Sequence, residues 1–199
     1  MTTFYLLRHG DKETVQGDPP LSAFGFRQAE ATAQFLKKFS IVTIFSSPLQ
    51  RTRETAQICA KTLGLEIIPD DRLQERMNWG DKPGETFEEF LAEWDKTSID
   101  RHYKPASGNS SFETGEKLQS FLLEIGRKYP DKAVLVVTHG GTIGDFLLNT
   151  FTNLPLTTSS TGVKFVKIWE CSLTTVNLEN NSFVLKGVGS TSHLAEPLI

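Results

Sequence analysis

Apolar and polar positions alternate between two rhythms along the chain. Residues 4–7 form a short continuous apolar run, the pattern of a strand covered on both faces. The run ends in Arg8-His9-Gly10, and a polar loop with the breaker Asp18-Pro19-Pro20 follows. Ser22 is a good N-cap for a helix through Phe26, Ala29, Ala33 and Leu36. Residues 41–45 read as a strand ending at Ser46-Ser47-Pro48, and residues 50–63 as a helix stopped by Gly64. Residues 65–68 make a third short strand. Residues 76–112 have a different texture, with many breakers and one short helix. There Thr86 and Glu89 form a capping box, and Phe87, Phe90, Leu91 and Trp94 make an apolar stripe, read with Trp79 as the core of that segment. A helix over 112–129 leads through Pro130-Asp131-Lys132 into residues 133–137, the clearest buried strand, which ends in Thr138-His139-Gly140-Gly141 and feeds another helix through Phe146 and Leu147. Short strands follow at 163–168, 173–178 and 183–188, the last two joined by a turn at Asn180-Asn181.

Strand and helix alternation over the first 150 residues predicts an α/β three-layer sandwich with a mostly parallel central sheet. The short strands after it predict an antiparallel edge. The expectation is a single domain over residues 1–199, with residues 76–112 as a lid insertion.

Composition narrows the function classes. Among 199 residues, 21 Lys+Arg against 24 Asp+Glu give a net charge of −3, which excludes a non-specific nucleic-acid binder. The two cysteines, Cys59 and Cys171, form no CxxC pair and predict free thiols. No HxxxH or paired-Asp motif stands beside a strand end, so no metal is expected. The N-terminus has no basic region before an apolar stretch, and no apolar run nears the roughly 20 residues of a spanning helix. The expectation is a cytoplasmic protein with no membrane or nucleic-acid partner.

In open α/β sheets, ligands sit beyond the carboxyl ends of the strands. Two apolar strands end there in His-Gly: His9-Gly10 and His139-Gly140. Glycine permits close approach of a ligand to the backbone. Arg8 precedes His9, and Arg51 lies just past another strand end. Two guanidiniums and two imidazoles make a phosphate site, since arginine binds phosphate bidentately and imidazole is a nucleophile toward phosphorus. His102, in the Arg101-His102-Tyr103-Lys104 loop, and His193 read as a solvated and a structural histidine. Arg53 and Thr52 could face the pocket or solvent.

Phe4-Tyr5-Leu6-Leu7-Arg8-His9-Gly10 resembles the opening strand of the histidine phosphatase superfamily, the phosphoglycerate mutase-like proteins. The resemblance continues, in order, through Leu21-Ser22 with Gly25, Gln28 and Ala29, then Ser46-Ser47-Pro48-Leu49-Gln50-Arg51-Thr52, then Leu73-Gln74-Glu75 with Trp79-Gly80, then Val136-Val137-Thr138-His139-Gly140-Gly141, and Cys171-Ser172-Leu173. It implies that His9 takes up a phosphoryl group and that Arg8, Arg51 and His139, with Gly140 beside them, bind its oxygens. Glu75 would protonate the leaving oxygen and then activate water; Asp81, Glu85 and Glu113 are its rivals. It implies no metal or organic cofactor. The chain departs from the mutase pattern in the short stretch Asp11-Lys12-Glu13-Thr14-Val15-Gln16-Gly17 and at Gly108-Asn109-Ser110-Ser111. The expected function is a phosphomonoesterase acting through phosphohistidine on a small phosphorylated metabolite. A phosphoglycerate-type mutase and a phosphoprotein-directed or non-catalytic phospho-ligand binder are the alternatives.

Overall fold

The computed structural model describes residues 1–195 and 198. Its main sheet has six strands: β1 (Thr2–Arg8), β2 (Ile41–Ser46), β3 (Ile67–Pro69), β4 (Ala133–Thr138), β7 (Leu173–Glu179) and β8 (Ser182–Ser190). They lie in the order β3-β2-β4-β1-β7-β8. The first four are parallel, and β7 and β8 run antiparallel at one edge. A separate hairpin pairs β5 (Leu156–Thr158) with β6 (Lys164–Val166). Helices α1 (Ala23–Leu36) and α2 (Gln50–Leu63) cover one face, and α4 (Ser111–Lys128) and α5 (Gly140–Thr150) the other; α3 (Phe87–Ile99) belongs to the segment beside the sheet end.

The continuous apolar runs explain this layering. Side chains alternate across a strand. Phe4, Leu6, Val134 and Val136 therefore enter the core under α4 and α5, while Leu7, Leu135 and Val137 enter the one under α1 and α2. Local signals set the helix ends. Ser22 caps α1 through Gly25 N–H, and Gly64 closes α2 at φ 69°. Asn180 and Asn181 turn β7 into β8 with φ of 50° and 63°. Cys59 and Cys171 are both buried free thiols.

Two expectations need correction. The strand expected over 163–168 is shorter and belongs to the β5–β6 hairpin, outside the main sheet. Its partner β5 lies in a Thr/Ser-rich tract whose composition signals a loop. The aromatic stripe of α3 is not a closed core: Phe87 is 42% and Leu91 45% exposed, because α3 packs only one flank inward. Trp79, Phe87, Phe90 and Trp94 instead form a chain of ring contacts at 5.2, 6.1 and 6.0 Å.

Candidate active site

The parallel pairing of β1 with β4 sets Arg8 opposite Thr138, so the residues that follow, His9 and His139, emerge side by side. His9 N–H continues the ladder to the Thr138 carbonyl at 3.0 Å. The two imidazoles stand 5.2 Å apart, centroid to centroid, edge to face. β2 ends beside them, where Ser47 N–H bonds the Val137 carbonyl and Ser47 Oγ meets His139 Nε2 at 2.9 Å.

His9 is 4% exposed. Its Nδ1 lies 2.7 Å from the Gly10 carbonyl oxygen. A carbonyl only accepts, so Nδ1 carries the proton and Nε2 holds a lone pair. Arg51 Nε donates to that Nε2 at 3.3 Å. Arg51 is 4% exposed in the first turn of α2. Its Nη2 donates to Asn78 Oδ1 at 2.7 Å, and its Nη1 lies 3.6 Å from Asp18 Oδ1. Asp18 also accepts from Gln50 N–H, supplying the cap that Leu49 has no side chain to give α2. Thr55 ties the parts together, accepting from Gly10 N–H and donating to the Arg51 carbonyl.

Burial, then the charges of Arg8 and Arg51, holds His9 well below its ordinary pKa. Burial and Arg51 do the same to His139. Both rings are therefore neutral near pH 7. Lys12, half-buried, adds its positive field to that of the arginines at His9.

Arg8, Glu75 and Gly140 stand on an adjoining wall. Together with Trp94 and residues 163–170 they line a cavity of about 430 Å³. Arg8 donates to the Ile168 carbonyl at 2.6 Å and pairs with Glu170 at 2.5 Å. A Cβ at position 140 would come within 3.2 Å of the Arg8 side chain, so glycine there lets the guanidinium lie against the start of α5. Glu75 Oε2 accepts from Gly141 N–H at 3.1 Å, and Oε1 from Arg76 N–H at 3.0 Å and Thr142 Oγ at 3.3 Å.

The rivals of Glu75 have partners of their own. Glu113 closes the capping box of α4 and pairs with Lys104. Asp81 accepts from Asn78 N–H, and buried Glu85 offers its carbonyl to Trp79 Nε1. Thr52 is buried on the Ser47 and Leu49 carbonyls, and Arg53 is exposed, so neither joins the site. His193 bonds Thr32 and stacks on Phe35, and His102 packs on Phe112. Arg101 does reach the cavity, held by the Asp145 carbonyl and Asn149 Oδ1. Asn78, Asp18 and Glu170 bond the site arginines, and Arg76 and Asp145 form an ion pair behind Glu75; sequence reasoning gave none of the five a functional role.

Two expected results follow. Arg51→Ala should lower kcat/KM for p-nitrophenyl phosphate by about 10²–10³-fold, the usual loss of a preorganised transition-state donor, and weaken vanadate inhibition in parallel. A change under about threefold would place Arg51 off the reacting group. The second concerns folding. Below pH about 6.5 the unfolded histidines bind more protons than the lowered His9 and His139 do in the fold. Their contribution is thus full above about pH 6.5 and lost as pH falls. Asp145 acts oppositely: burial, against the pull of Arg76, pushes it from 3.8 up to about 7, so its contribution is full at low pH and lost as pH rises through 7. The comparison of wild type with His139→Asn isolates the histidine. In urea unfolding from pH 7.5 to 5, wild-type stability should fall relative to the variant; a constant difference would contradict it.

Known proteins share the fold. A family model described as the histidine phosphatase superfamily (branch 1) matches residues 4–191. A Yersinia pestis (strain Pestoides F) protein named probable phosphoglycerate mutase GpmB is 30% identical over 216 aligned residues, spanning 100% of this chain and 98% of that one. A phosphoserine phosphatase from Entamoeba histolytica, solved in complex with phosphoserine, superposes with a TM-score of 0.73 at 25% identity, covering 98% of this chain and 100% of its own. A mycobacterial glucosyl-3-phosphoglycerate phosphatase in complex with VO3 gives a TM-score of 0.75 at 24% identity over 95% of this chain and 99% of that one.

Proposed function

The chain belongs to the histidine phosphatase superfamily, and within it we propose a phosphomonoesterase that works through a phosphohistidine on His9, without metal or organic cofactor, on a small phosphorylated metabolite. The observation that carries this reading is the tautomer of His9: Nδ1–H is committed to the Gly10 carbonyl, and Nε2 points its lone pair toward the Arg51 guanidinium. That is a nucleophile already deprotonated and aimed where a phosphoryl group would be held by cations.

In the first step His9 Nε2 bonds to phosphorus and the ester P–O bond breaks. The electron pair leaves with the alcohol oxygen, which takes a proton from Glu75. Arg51, Arg8 and His139 bind the phosphoryl oxygens, and catalysis is largely their positioning and charge. Arg51 Nε–H passes from His9 to phosphate, and Arg8 exchanges Glu170 for it. In the second step Glu75 takes a proton from water, the water oxygen bonds to phosphorus, and the P–N pair returns to Nε2. The cavity beside Arg8 and Glu75 would take the alcohol part of the substrate, with residues 76–112 as its lid. The reading is of one domain acting in the cytoplasm, free of nucleic acid and membrane; among the described residues no helix is long and apolar enough to cross a bilayer.

A mutase is the second reading, favoured by the name of the Yersinia relative. Incubation with a phosphoglycerate and a bisphosphate primer separates the two. Release of inorganic phosphate without isomerised product supports the hydrolase; isomerisation faster than release supports the mutase. A screen of sugar phosphates, phosphoglycerates, nucleotides and phosphopeptides in EDTA should give metal-independent phosphate release, best on a small ester. Activity that chelation abolishes and Mg²⁺ restores would overturn the reading.

A further inference from the structure

We propose that Arg76, anchored on Asp145, is a positioning residue for the Glu75 carboxyl, so that α3 and α5 together set the acid in place. The inference rests on the reading of Glu75 as the proton donor. Arg76 is the next residue in the chain, and its own N–H is one of the donors to Glu75 Oε1. Wherever the Arg76 backbone sits, Glu75 follows.

The side chain of Arg76 is fixed from three directions. Nη2 pairs with Asp145 Oδ1 of α5 at 3.0 Å. Nη1 donates to Thr97 Oγ at 3.0 Å and Ser98 Oγ at 2.9 Å, both near the end of α3. The guanidinium lies 4.1 Å from the Trp94 ring centroid. Arg76 and Asp145 are both almost wholly buried. Taking such a pair out of water is costly, and it holds a geometry only where extra hydrogen bonds satisfy the remaining donors. The two α3 hydroxyls supply those bonds at Nη1, while Arg76 Nε and Asp145 Oδ2 are left without a partner.

The same two helices grip Glu75 from its other side. Gly141 and Thr142, in the first turn of α5, bond its two carboxyl oxygens. A Cβ at position 141 would collide with both Glu75 and Trp94, so α5, Glu75 and α3 meet at that glycine. Asp145 lies one turn further along α5 and pulls Arg76 toward the same helix. The acid is thus held by α5 directly and by α3 through Arg76. Misplacement of a catalytic group by about 1 Å costs on the order of 10²-fold in rate.

Arg76→Met, Asp145→Ala and Asp145→Asn test this beside Glu75→Gln, using glycerol phosphate and p-nitrophenyl phosphate. Only the alkyl ester needs a proton on its leaving oxygen. Arg76→Met and Asp145→Ala should lower kcat on glycerol phosphate by about 10²-fold, with KM changed less, and leave the nitrophenol burst rate within about threefold. Asp145→Asn, which keeps an acceptor for Nη2, should recover at least tenfold of the loss. Equal slowing of both esters, or no slowing, would overturn the proposal. Should Arg76→Met fail to fold, the Thr97→Val/Ser98→Ala double variant removes the α3 partners alone and should show the same ester selectivity at about tenfold. If Glu75→Gln shows no ester selectivity, the reading of the acid falls. If it does and the others do not, the positioning role alone falls.

Discussion

His9→Gln should lower kcat/KM for p-nitrophenyl phosphate by about 10⁴-fold or more, as loss of a covalent nucleophile does elsewhere. The amide keeps much of the ring's volume and can still donate to the Gly10 carbonyl. It offers no nitrogen lone pair to phosphorus. Because the phosphate-binding groups remain, vanadate binding should weaken by far less than turnover. His139→Gln is the contrast: it should cost less, because His139 binds oxygens and forms no bond to phosphorus. If His9→Gln retained more than a tenth of the activity, the attacking group would be elsewhere.

The second large effect belongs to Glu75. General acid catalysis contributes about 10²–10⁴-fold where the departing oxygen is a poor leaving group. Glu75→Gln should lose a factor in that range on an alkyl phosphate such as glycerol phosphate. With p-nitrophenyl phosphate the phosphorylation of His9 should be nearly intact, because nitrophenolate leaves without a proton. Hydrolysis of the phosphoenzyme still needs a base, so the variant should give a burst of nitrophenol, one equivalent per site, and then stall. Asp81→Asn should show neither effect, since that carboxylate is spent on Asn78 N–H. Equal loss on both esters with no burst would remove Glu75 from the role.

The features that were legible in the sequence are those written in local pattern. Residues 133–137 alternate between two cores and so show an unbroken apolar run. The start of α2 at Gln50 and its stop at Gly64 follow from the Ser46-Ser47-Pro48 breaker and the left-handed glycine. His9 and His139 were visible because each ends such a run and precedes a glycine. The partners that shape the site were not visible, because they are set by tertiary approach. Asp18 reaches Arg51 from a loop 33 residues away and doubles as a cap for α2. Asp145 lies on the buried side of α5, 69 residues from Arg76, where a lone acid in an apolar helix gives no hint of its cation. The stripe of α3 has the right helical spacing, but spacing does not say how much of a stripe a neighbour covers. β5 carries Thr and Ser where a strand signal calls for apolar alternation, and only its pairing with β6 makes it a strand.

The account stands most directly on where the phosphoryl group goes. Rapid quenching of enzyme with radiolabelled phosphomonoester, on Glu75→Gln so that the intermediate accumulates, followed by peptide mapping, measures this. The account predicts about one label per chain, stable in base, lost in acid, and carried by the peptide containing His9. Label on Ser47 or Cys59, an adduct stable to acid, or turnover with no labelled protein at any quench time would contradict it.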